Sequence, residues 1–220
     1  MTSLRPFILC VALLVLCAPL PQSCAFGAES AIRSTVSESV INSPSGRETV
    51  IRYAKGVFLE RLGYGPKVDP PAAIAASRRS CFVTFFIGRR VVACFGGFQP
   101  RKSTLAEEID ENIRLALLHD ERATGIDRRT ALEARVQLTF PDTPEPVSSP
   151  ELISPTREGL FVENDLRGVA IVPGEAKTAA WAYRSAMKRL GESDPLRVRL
   201  YRFRAAVVTS RETGGVSGKR

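Results

Sequence analysis

Cys94 stands near the end of an apolar run, and Gly96-Gly97 follows almost at once. A thiol in that place could act as a nucleophile, with the backbone amides of a Gly-Gly turn binding an oxyanion. Such a thiol needs a base or a lowered pKa, and the chain carries one histidine, His119. Cys94 and His119 are therefore the candidate catalytic pair. The competing reading is a packing role, since a free cysteine on an apolar strand behaves as a small buried hydrophobe. Next to His119 lie Asp120 and Arg122. Residues two apart do not share a helical face, so an Asp120–Arg122 pair requires the preceding helix to end there. Cys94, Gly96, Gly97, Asp120 and Arg122 are the candidate binding residues, although the favoured role of the Asp-Arg pair is to fix the loop after the helix.

Other chemistries lack their residues. A single histidine excludes multi-histidine metal sites, and no metal or other cofactor is expected. The sequence shows neither a glycine-rich phosphate loop nor a serine nucleophile elbow. Of the five cysteines, Cys10, Cys17 and Cys24 belong to the N-terminal leader, which leaves Cys81 and Cys94. A two-residue turn at Gly88-Arg89 would pair Val83 with Cys94 and Cys81 with Gly96. The two cysteines would then sit diagonally, about 7 Å apart at Cβ against the roughly 4 Å of a disulfide, so two free thiols are expected.

The elements that position these residues follow from periodicity. Apolar residues three and four apart predict a helix from Glu48 to Leu62. Cys81–Ile87 and Val91–Phe95 form a hairpin that is apolar on both faces of its first strand. Thr104 and Glu107 make a capping box for a helix from Ser103 to His119. Its inner face carries Leu105, Ile109, Ile113, Ala116 and Leu117, while Glu108, Asp110, Glu111 and Arg114 fall on the other. Ala134–Phe140 alternates as a half-buried strand. Pro141–Pro155 holds five prolines and reads as a loop. Short strands at Gly159–Val162 and Gly168–Val172 flank an Asn164-Asp165 turn. A helix from Glu175 to Leu190 stops at Gly191. Both long helices are expected to cover one sheet. A final strand, Leu196–Val208, carries Arg197, Arg199, Arg202 and Arg204, and a β-bulge at Tyr201 would keep all four on one solvated face.

Arg5, the apolar run Phe7–Leu20 and the small residues Ser23 and Ala25 compose a secretory leader, too short for a spanning helix. The division is residues 1–25 signal peptide, 26–45 linker, 46–209 folded domain and 210–220 flexible tail. Export to the periplasm or cell exterior is thus expected, with no transmembrane segment after cleavage. There, the formal net charge of +8 points to solubility or the anionic envelope, and no nucleic-acid partner is expected. An unidentified protein or small molecule is the expected partner.

Cys81 through Gly96 resembles the signature hairpin of the AMMECR domain family, whose strand Phe-Val-Thr-Leu leads through a glycine turn into Leu-Arg-Gly-Cys-Ile-Gly. Phe82-Val83-Thr84-Phe85 matches the first half, and Val91-Val92-Ala93-Cys94-Phe95-Gly96 the second without a gap. Asp120 and Arg122 resemble the family's Asp-Pro-Arg-Phe. Arg157-Glu158-Gly159-Leu160 resembles its Gly-Leu strand, and Val172-Pro173-Gly174-Glu175 its entry into a helix bearing Trp181. The resemblance covers roughly residues 45–209. It implies an α/β fold of α+β type: one two-lobed domain, a mixed or antiparallel sheet packed by helices, and the motif lining a cleft between lobes. Val92 and Ala93 replace the motif's arginine and glycine, which removes the motif's one fixed cation. Two functions remain open: a non-catalytic binding or accessory module, and a cysteine-dependent enzyme using Cys94.

Overall fold

A computed structural model describes residues 40–210 of the chain. The expected leader, most of the linker and residues 211–220 lie outside them. Helix α1 (Pro44–Arg61) starts earlier than its apolar spacing predicts, because the Ser43 hydroxyl accepts the Gly46 N–H at 3.1 Å and Pro44 suits a first turn. Val40 and Ile41, assigned above to the linker, are buried at 5% and 2% exposure. The end of that segment is thus part of the core. Val50, Ala54, Val57 and Phe58 bury one face of α1, and Phe58 stacks on Phe85 with ring centroids 3.7 Å apart.

After a short helix α2 (Ala72–Ala75), strands β1 (Phe82–Ile87) and β2 (Arg90–Gly96) form the expected hairpin. Helix α3 (Leu105–His119) follows with its capping box intact: Glu107 N–H donates to Thr104 Oγ1, and Thr104 N–H to Glu107 Oε2. Helix α4 (Arg128–Glu133) leads into β3 (Arg135–Pro141). Lys55 of α1 donates to the carbonyls of Ala131, Leu132 and Ala134, capping the C-terminal end of α4. Beyond lie β4 (Glu145–Pro146), β5 (Gly159–Glu163), β6 (Gly168–Ile171), α5 (Ala179–Leu190), β7 (Arg199–Phe203) and β8 (Ala205–Thr209).

The strands make two antiparallel four-stranded sheets, ordered β2-β1-β3-β8 and β4-β7-β5-β6. The fold is α/β of α+β type. Helix α3 covers β1 and β2 of the first sheet, while α5 covers β5 and β6 of the second, so the two long helices do not share a sheet. The expected final strand is split for the same reason. Its first half pairs with β5, its second with β3, and Arg204 lies at the crossing. The arginine stripe dissolves accordingly. Arg199 pairs with Glu163 and Asp165, Arg202 with Glu145, and Arg197 with Glu192.

The hairpin keeps its turn at Gly88-Arg89, where Gly88 adopts a positive φ of 57°, but not its register. A bulge between Phe85 and Phe86 leaves Val92 as the extra residue, so Phe85 faces Ala93 and Thr84 faces Cys94. The shift by one reverses the relation between the cysteines. Cys81 belongs to the helix-side face with Val83 and Phe85, and Cys94 to the opposite face with Thr84. Both are free thiols. Val92 and Ala93 both join the helix-side core, at 2% and 0% exposure.

Candidate functional site

A cleft of about 880 Å³ opens between the two sheets. Cys94, Gly96, Gly97, His119, Asp120 and Arg122 all line it, so the residues singled out by type and spacing meet on one surface. They arrive there for local reasons. The bulge turns Cys94 to the cleft side. Gly96 is required because a Cβ there would meet the Phe82 Cα at 2.4 Å and the Cys81 carbonyl at 2.5 Å. Helix α3 ends at His119, and the Asp120 carboxylate caps the short 3-10 turn Glu121–Ala123 by accepting the Arg122 N–H at 3.0 Å.

Asp120 ties three elements together. Its Oδ2 accepts the Cys94 backbone N–H at 2.9 Å, saturating a donor on the outer edge of β2. Arg122 grips the same carboxylate through Nε at 2.9 Å and a terminal nitrogen at 2.7 Å. Burial pushes Asp120 up, and the Arg122 bonds overcome that, holding its carboxyl below the ordinary range. The other end of Arg122 reaches Glu175 Oε1 at 3.3 Å, and Arg189 of α5 reaches the same oxygen at 2.7 Å. Glu175 is 2% exposed and also accepts the Val172 N–H at 3.3 Å. Glu175 closes a turn by donating its N–H to the Val172 carbonyl, and α5 begins at Ala179, capped by Thr178, four residues later than expected.

The thiol of Cys94 has no base at hand. Its Sγ lies 3.2 Å from Thr84 Oγ1, and among the described residues no hydrogen bond joins it to His119. The His119 ring instead tilts over Phe95, with centroids 6.4 Å apart. Although Cys94 keeps some surface toward the cleft, close packing around the sulfur pushes its thiol up to about 12, and the Glu175 carboxylate adds to the shift. A thiol so placed is protonated at neutral pH and a poor nucleophile.

Reasoning from sequence missed Glu175, Arg189, Arg167 and Lys188, all at or behind this cleft. They lie far along the chain from Cys94, and no local spacing connects them to it. Glu108 was misplaced: it is fully buried, accepting the Arg101 and Lys102 backbone N–H groups at 2.8 and 3.0 Å. Among the described residues, no cluster of ligating side chains could hold a metal ion, and no helix is long and apolar enough to cross a membrane.

Compared with known protein families, residues 32–208 match AMMECR1. No curated protein matches the chain. Among solved structures, the crystal structure of an uncharacterised protein from Pyrococcus horikoshii is similar, with a TM-score of 0.56 and 18% sequence identity. The alignment covers 71% of this chain and 87% of that one, and at this identity the likeness bears on the fold alone.

Proposed function

We propose a non-covalent binding function for the cleft of this protein, which belongs to the AMMECR1 family, and propose that it works outside the cytoplasm. The observation that carries the binding function is the state of Cys94. Its thiol is held protonated by burial beside Glu175, its contact is the Thr84 hydroxyl, and the one imidazole is turned to Phe95. Asp120 and Arg122 are spent on each other, on backbone groups and on Glu175, so neither is poised as an acid or base. A cleft of this size with an aromatic and cationic lining suits a small ligand. Export rests on the leader: Arg5, the apolar run Phe7–Leu20 and the small residues at 23 and 25.

Incubation with p-nitrophenyl acetate at neutral pH, followed by peptide mass spectrometry, separates this function from thiol catalysis. The expected result is no acyl adduct on Cys94. An adduct that forms rapidly on Cys94 and disappears in His119→Ala would establish the enzyme instead.

A further inference from the structure

The cleft has two chemically different linings. Phe82, Phe98 and Phe161 give it an aromatic surface. Phe98 anchors that surface through edge contacts to Phe82 at 5.3 Å, Phe161 at 4.9 Å and Phe203 at 4.9 Å. Phe98 and Phe161 are each only half-buried, leaving part of their surface open to the cleft. Beside the rings stand four cations, Arg122, Arg167, Lys188 and Arg189, against the carboxylates of Asp120 and Glu121.

These cations are not equally compensated. Arg122 and Arg189 converge on one oxygen of the buried Glu175. Arg167 spends its hydrogen bonds on the Leu190 carbonyl, the C-terminal end of α5, and pairs with no carboxylate among the described residues. Lys188 is exposed, lines the cleft and has no ion pair among the described residues. Ser185 stands one helical turn before it on the same face of α5, and also lines the cleft. The second-sheet side of the cleft thus offers an ammonium, a guanidinium and a hydroxyl next to open aromatic surface. An oxyanion satisfies the first three, and a flat apolar body covers the rest.

We infer that the cleft takes a small amphipathic oxyanion, a flat aromatic or apolar body bearing one acidic group, with the acidic group at Lys188 and Arg167 and the body against Phe98 and Phe161. The inference rests on the proposed binding function and specifies its ligand class. The positive charge available to that ligand comes from α5 and the β5–β6 turn.

Isothermal titration calorimetry of the purified protein with 2-naphthoate, neutral 2-naphthol and inorganic phosphate tests this. The expected result is saturable one-to-one binding of 2-naphthoate, weaker binding of 2-naphthol, and weaker binding still of phosphate. Lys188→Glu should lower 2-naphthoate affinity about tenfold or more, leave 2-naphthol unchanged, and be rescued by Lys188→Arg. Arg128→Glu, the same charge change on α4 away from the cleft, should have no such effect. Phosphate binding as tightly as 2-naphthoate would overturn the aromatic half of the inference, and an unaltered Lys188→Glu would overturn the cationic half. No saturable 2-naphthoate binding would overturn all of it while leaving the binding function to be judged by the acylation of Cys94.

Discussion

On the helix side of the β1–β2 hairpin, Cys81 lies under α3, where Asn112 donates to its carbonyl at 2.9 Å and Glu108 stands fully buried. On the cleft side, Cys94 lies beside Thr84 and Asp120, with Glu175 as its buried carboxylate. Each side buries one glutamate and answers it with backbone N–H groups and arginine. Glu108 receives the N–H groups of Arg101 and Lys102 and has the Arg101 guanidinium at 3.7 Å. Glu175 receives one N–H and two guanidinium groups from different parts of the chain. The helix side is closed around short-range contacts between Arg101 and Asn112. The cleft side joins distant parts of the chain, Arg122 meeting Glu175 53 positions on, and leaves Lys188 and Arg167 without carboxylate partners among the described residues. One face of the hairpin is thus packed under α3, and the other meets the second sheet around Phe82 and Phe203 and borders the cleft.

The largest effect is expected from putting the motif's arginine back. Val92 lies in the helix-side core through the bulge, so Val92→Arg would bury an unpartnered cation and destabilise the fold by about 4 kcal/mol. Chemical denaturation of the variant reads this directly. A variant as stable as the parent would mean that position 92 points into the cleft and that the division between the two faces is misdrawn.

A smaller loss is expected at the cleft. Glu175→Gln removes the charge that Arg122 and Arg189 share, at a cost of about 2 kcal/mol once the partial exposure of both guanidinium groups is allowed for. Denaturant midpoints of the single variants and of Glu175→Gln with Arg122→Gln give the coupling between them. Additive losses would contradict the shared network.

Asp120 supplies a pH signature of lesser size. Its carboxyl is held below the ordinary range in the folded state, so its contribution is complete above the unfolded pKa and fades as pH falls through the folded one. Melting between about pH 2 and pH 6 should show a steeper acid limb for the parent than for Asp120→Asn. Parallel curves would remove Asp120 from the ionic network.

Local signals were legible before the fold was known. The Thr104–Glu107 box, the Gly88-Arg89 turn and the Gly191 stop each act within a few residues, and each is present. Cys94 and His119 stood out because the chain has one imidazole and two thiols beyond the expected leader, and Asp120 and Arg122 because they adjoin that imidazole where the helix must end. Glu108 was read onto the outer face and is buried with Leu105, Ile109 and Asn112, because the Arg101 and Lys102 N–H groups satisfy its carboxylate and spacing does not announce them. The changed parity of the arginines did mark an irregularity near Tyr201, but parity does not distinguish a bulge from a chain leaving one sheet for another. Glu175 and Arg189 were invisible because Arg122 meets Glu175 only through the fold, 53 positions along the chain, and Arg189 joins through Glu175.

Cys94 faces the cleft as a protonated, unassisted thiol. Its rate of alkylation by iodoacetamide, followed across pH in Cys81→Ala protein, tests that most directly. Slow reaction is expected at neutral pH, with a rate that climbs with no plateau below about pH 10 and the same profile in His119→Ala. A plateau already reached near neutrality and lost in His119→Ala would contradict it.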